Sequence, residues 1–167
     1  MTAGRLDHSV EFTVPARPER VFPLLCPVLE YRWIPTWRCD LLHSASGVAE
    51  EDCVFRTDFP GAGPMTWVVT CYQPAKRIEF CCFVAEYFVM RLKLTLVPES
   101  EGTRLTWSRR WLSLGAQGDA WLAKQNTEAL DRMVELRRTE LAHFLATGDM
   151  LKAAEDVELK PATKARH

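Results

Sequence analysis

Residues 88–112 run FVMRLKLTLVPESEGTRLTWSRRWL, and the reading of this stretch decides the fold. Phe88, Met90, Leu92, Leu94 and Leu96 alternate with Val89, Arg91, Lys93 and Thr95. That two-residue period belongs to a strand with one buried face. Glu99-Ser100-Glu101-Gly102 turns the chain. From Thr103 to Leu112 the alternation resumes, with Leu105, Trp107, Arg109 and Trp111 on one side. Two strands joined by a tight turn are antiparallel neighbours, so the sheet grows by hairpins.

Working back from this hairpin, the run from Arg77 to Val97 exceeds the usual strand length of about 3–10 residues. A bend is therefore required near Val84-Ala85-Glu86-Tyr87, although no glycine marks it. Further strands are predicted over Met65 to Tyr72, Cys53 to Phe59 and Trp37 to Ser46, with turns at Gln73-Pro74-Ala75-Lys76 and Pro60-Gly61-Ala62-Gly63-Pro64. His8 to Val14 starts the set, with Val10, Phe12 and Val14 on one face. Pro15 ends that strand, Pro18 suits a first helical turn, and Pro27 and Pro35 bracket a second short helix. The expectation is seven antiparallel strands with two short helices after the first.

Downstream of the hairpin the period changes. Residues 118–147 read as one helix, with Leu122, Ala129, Leu130, Met133, Leu141 and Phe144 on one stripe and Gly148 as its left-handed cap. At about 1.5 Å per residue it would reach roughly 45 Å, more than the width of a small domain. Residues 1–148 form one domain in this reading, and 149–167 are a charged tail.

Composition excludes several classes. The chain has 167 residues and a formal net charge of −1, without the basic field that nucleic acid binding requires. No apolar run approaches the ~20 residues of a membrane span, and the first residues lack the apolar core of a signal peptide, so a cytoplasmic protein is expected. The six cysteines, none in a C-x-x-C pair and most in strand-like runs, fit core thiols. His8, His43, His143 and His167 are scattered without zinc-ligand spacing, so neither a metal nor another cofactor is expected. G-x-S-x-G, P-loop and G-x-G-x-x-G signatures are absent from the sequence.

Two polar residues fall on apolar faces. Arg109 shares its strand face with Leu105, Trp107 and Trp111; it either grips a ligand carboxylate or phenolate, or it snorkels to solvent or an acidic partner. Asn126 lies on the helical stripe and either contacts a ligand or satisfies a backbone group. Arg38, Asp40, Arg56 and Asp58 read as outward cross-strand charges. Arg132, Glu135, Arg137, Arg138 and Glu140 read as a solvated helix face.

The element order, together with Glu11-Phe12-Thr13-Val14-Pro15-Ala16, Val21-Phe22, Trp37, Ser46-Gly47, Val54-Phe55, Thr66-Trp67-Val68-Val69, Arg77-Ile78-Glu79-Phe80 and Gly102-Thr103-Arg104-Leu105-Thr106-Trp107, resembles a bacterial branch of the polyketide cyclase/dehydrase and lipid-transport (SRPBCC) family. That family lies in the helix-grip superfamily of START domains and birch-pollen-allergen-like proteins. The resemblance covers roughly residues 8–148. It implies an α+β helix-grip fold, in which a curved sheet wraps a long C-terminal helix and a pocket opens between them. The residues implied to line that pocket are Trp67, Val69, Ile78, Phe80, Cys82, Met90, Leu92, Trp107 and Arg109 from the sheet. Leu122, Asn126, Ala129, Leu130 and Met133 would come from the helix.

A shared cavity is not a shared reaction. Three functions stay open: a carrier of a hydrophobic lipid, aromatic or polyketide-like molecule; a cyclase or dehydratase using His43, Asp40 or Tyr72 as acid or base; and an interaction module like the helix-grip relatives that stimulate a chaperone ATPase. A small-molecule partner and a monomer or homodimer are expected.

Overall fold

The computed structural model describes residues 4–59 and 63–152. The chain forms seven strands: β1 Arg5–Val14, β2 Cys39–His43, β3 Val54–Phe59, β4 Gly63–Gln73, β5 Arg77–Val84, β6 Phe88–Glu99 and β7 Gly102–Ser113. They form one antiparallel sheet in the order β1-β7-β6-β5-β4-β3-β2. Because β1 pairs with β7, the longest hairpin lies beside the start of the chain. Between β1 and β2 lie α1 (Pro18–Val21), a 3-10 turn over Phe22–Leu25 and another over Glu30–Arg32. The bend required between β5 and β6 is made by Ala85 at φ 34°, closed by the Tyr87 N–H donating to Val84 O at 2.9 Å.

The register stacks side chains into rows across the inner face. One row runs Leu6, Trp111, Met90, Cys82, Trp67 and Phe55. The next runs His8, Arg109, Leu92, Phe80 and Val69. A third holds Val10, Trp107, Leu94, Ile78 and Tyr72, the last turned inward by a bulge between Val69 and Cys71. The outer face carries the charges, among them the Arg56–Asp40 pair at 3.4 Å.

The single long helix expected over 118–147 is instead two: α2 (Ala116–Leu122) and α3 (Thr127–Thr147). Asn126 causes the break. Its backbone is extended and its side chain accepts the Glu128 N–H at 2.8 Å, an N-cap that starts a new helix. α2 is held where it is by close approach, since a Cβ on Gly118 would lie 1.9 Å from Tyr87 O. At 21 residues, α3 spans about 32 Å, which a small domain accommodates.

Restarting the helix changes its buried stripe. Val134, Leu141, Phe144 and Leu145 are buried, whereas Ala129 and Met133 are exposed and Leu130 is half-buried. α3 lies along β1, and its C-terminal half meets the segment from α1 to Trp33. Arg20 donates to Leu145 O at 3.4 Å, and the Arg32 guanidinium sits 5.1 Å from the Phe144 ring centre. Glu140, expected in solvent, is buried here and paired with Arg137. The C-terminal tail lies outside the described residues from 153 onward.

Candidate functional site

The inner face divides into two unlike halves. On the β3–β5 side, Phe55 and Trp67 stack with planes 2° apart and centroids 5.8 Å apart, and Phe80 meets both edge-on at 6.0 and 6.3 Å. Trp67 Nε1 donates to Thr57 Oγ1 at 2.9 Å, so the indole is satisfied inside the core. Val69, Cys82 and Met90 fill the adjoining positions and are buried, and burial pushes the Cys82 thiol up to about 12. This half is a packed wall.

On the β1–β7 side the face turns polar. His8 and Arg109 are register partners pointing at α3. Arg109 is 7% exposed, and its guanidinium lies 5.2 Å from the Trp111 ring centre. It donates to His8 Nδ1 at 3.1 Å, to Leu130 O at 3.3 Å and, weakly, to Met133 Sδ at 3.7 Å. A guanidinium only donates, so His8 Nδ1 accepts. The proton is then on Nε2, which donates to Asp131 Oδ1 at 2.8 Å. A chain of three side chains thus ties β7 to β1 to α3.

The three acceptors around Arg109 are a carbonyl, an imidazole and a thioether, all neutral. The acidic side chain whose charge reaches Arg109, Asp131, stands behind His8 and is 56% exposed. Burial pulls the Arg109 pKa down to about 10, with Asp131 acting in the opposite direction; the group stays charged at neutral pH. Two donors on this strand, Arg109 Nε and Trp107 Nε1, are buried and reach no acceptor among the described residues. Buried N–H groups without partners cost about 1–3 kcal/mol each.

Of the residues expected to line a pocket, the sheet members share the inner face in adjoining rows, while the helical members divide. Leu130 and Met133 rim Arg109, one half-buried and the other 36% exposed. Leu92, next to Arg109 in its row, faces inward yet is only half-buried. Asn126 is not among them: it is spent on the N-cap and lies exposed. His43 and Asp40 lie exposed on β2, and Tyr72 packs edge-on against Phe22 at 5.2 Å. The sequence reading missed His8, whose partner Asp131 is 123 residues away.

Two depressions mark the surface. One, of about 500 Å³, is walled by residues 15–19 and 98–102 at the β6–β7 turn. The other, of about 270 Å³, lies among Asp7, Glu79, Arg91, Lys93 and Arg110 and is lined also by Leu92, Ser108 and Arg109. Among the described residues, no helix is long and apolar enough to cross a membrane, and no cluster of three or more His, Cys, Asp or Glu side chains could hold a metal.

Several solved structures share this architecture. A Staphylococcus aureus protein of unknown function, SA2116, superposes with a TM-score of 0.66 at 12% identity, over 87% of this chain and 96% of that one. Norcoclaurine synthase from Thalictrum flavum, solved with dopamine and hydroxybenzaldehyde, gives 0.64 at 9% identity, over 87% and 88%. Protein MLL2253 from Mesorhizobium loti gives 0.62 at 17% identity, over 86% and 99%. At these identities the likeness shows the helix-grip fold alone. No curated protein matches the sequence. The family described as polyketide cyclase / dehydrase and lipid transport matches residues 5–141, nearly the whole folded part, and the chain belongs to that family.

Proposed function

We propose that this protein binds and carries a hydrophobic small molecule on the inner face of the sheet, under the N-terminal half of α3. The observation that carries the reading is the buried, incompletely partnered Arg109 on an otherwise apolar face, rimmed by the half-covered Leu92, Leu130 and Met133. A core built only for stability gains nothing from such a group. A binding face uses it to orient a ligand whose body is held by apolar burial, at about 25 cal/mol per Å². Met133, held to Arg109 by a weak sulfur contact, is the adaptable part of the rim. Family membership and a ligand-bound neighbour on the same fold support the reading.

A cyclase or dehydratase would need an acid or base free to reach substrate. The His8–Asp131 pair resembles such an arrangement, but both ring nitrogens of His8 are engaged within the protein. Native mass spectrometry of freshly purified protein, followed by titration with the neutral fluorophore N-phenyl-1-naphthylamine, tests the carrier reading. A copurifying small molecule, or saturable fluorescence enhancement with tryptophan quenching, is expected. Neither signal would overturn it and put the interaction module ahead.

A further inference from the structure

We infer that the ligand is an amphiphilic anion, whose oxygen head group is received by Arg109 Nε and Trp107 Nε1; this rests on the carrier reading above and names the class of ligand.

The argument starts from charge. Arg109 is more than nine-tenths buried, stays protonated, and touches only neutral acceptors among the described residues. An interior cation lacking a direct counter-ion is costly, and an anion placed against it recovers that cost. The acidic side chain that comes near, Asp131, is screened by the imidazole and half in solvent.

The second strand of the argument is hydrogen-bond polarity. The two unpartnered buried groups on β7 are both donors, and both residues are more than nine-tenths buried. They stand at i and i+2 on one strand, so their Cα atoms are about 6.8 Å apart and their side chains leave the same face. Two donors select an acceptor-only partner, such as a carboxylate, phenolate or sulfonate oxygen. An alcohol or amine head would bring further donors to a site that already has too many. His8 adds to this polarity, because its acceptor nitrogen is already filled by Arg109 and its N–H points away to Asp131. The apolar body then lies across Leu92 and Phe80, the next residues in the Arg109 row.

Two fluorophores of nearly the same shape provide the test: 8-anilinonaphthalene-1-sulfonate and the uncharged N-phenyl-1-naphthylamine. The wild-type protein is expected to bind the sulfonate at least about tenfold more tightly, the scale of one charge-assisted hydrogen bond. Arg109→Met is expected to remove that preference, read as the ratio of the two affinities in the same variant. Trp107→Phe, which keeps an aromatic body but loses the N–H, is expected to reduce the preference in part. Thermal melts establish that the variants fold, and the wild-type preference is readable without any variant. Equal wild-type affinity for the two probes, or a preference that survives Arg109→Met, overturns the inference and leaves the carrier reading standing. Failure of both probes to bind overturns the inference and, where no small molecule copurifies, the carrier reading with it.

Discussion

The two halves of the inner face bury indoles in opposite ways. Trp67 sits in an aromatic cluster and gives its N–H to Thr57. Trp107, three strands away and equally buried, has an N–H with no acceptor among the described residues, beside a guanidinium in the same condition. The first arrangement is what selection for stability produces, because each polar atom taken from water is repaid inside. The second costs folding energy. An occupant of the proposed kind would offset that cost.

The largest expected effect lies on the packed side. Trp67→Ala removes an indole that stacks on Phe55 and meets Phe80, and it should cost about 3–5 kcal/mol in a denaturant titration. A loss below about 1 kcal/mol would mean that this half is as loosely held as the other, and the contrast would fail. Thr57→Val sharpens it further by turning Trp67 into an orphan like Trp107. Thr57 is fully buried, so the stranded indole N–H should cost about 1–3 kcal/mol with the fold intact.

A third variant asks whether an unpaired polar group elsewhere behaves like those on β7. Glu30, on the 3-10 turn facing α3, has its pKa raised to about 8 from 4.5 by burial, which the Arg137 charge only partly offsets. A carboxyl with a higher pKa folded than unfolded binds its proton more tightly in the fold. Its contribution is full below pH 4.5 and is lost as pH rises through 8. Glu30→Gln mimics the protonated form, so it should leave the melting temperature unchanged near pH 4.5 and raise it increasingly over wild type as pH climbs to 8. An unchanged difference across that range would show that Glu30 is ionised in the fold.

Much of the sheet was legible in the sequence, because alternation in β6 and β7 assigns each side chain to a face and one register then fixes the rows. The helix break was not. Residues 123–126, Ala-Lys-Gln-Asn, contain no proline or glycine. The break is made by the Asn126 N-cap, while tertiary contacts hold α2 in place: Gly118 lies against Tyr87 O and Asp119 accepts the Gly4 N–H at 2.8 Å. That restart exchanged Met133 for Val134 on the buried stripe and took Asn126 out of the candidate site. Arg109 was visible as a polar residue on an apolar face. Its condition was not, since it depends on His8, Asp131 and the Leu130 carbonyl, brought together from both ends of the chain.

The smallest expected effect is the most telling for the comparison. Arg109→Met removes three hydrogen bonds, two to neutral protein acceptors of ordinary strength and one to a thioether. It also removes a desolvated charge and an unpartnered N–H, and it places a flexible apolar chain beside Leu92 and Trp111. Replacing a buried charge by an apolar chain of similar length is often neutral or stabilising, so the two sides of this exchange should cancel to within about 1 kcal/mol. The His8 imidazole then has an open Nδ1 and keeps its Nε2–H on Asp131, which a long-range ¹H–¹⁵N spectrum reads in wild type and variant alike. A destabilisation of about 3 kcal/mol or more in the ligand-free protein would mean that Arg109 is a structural strut like Trp67. A near-zero change would mean that its burial is maintained for something other than the fold.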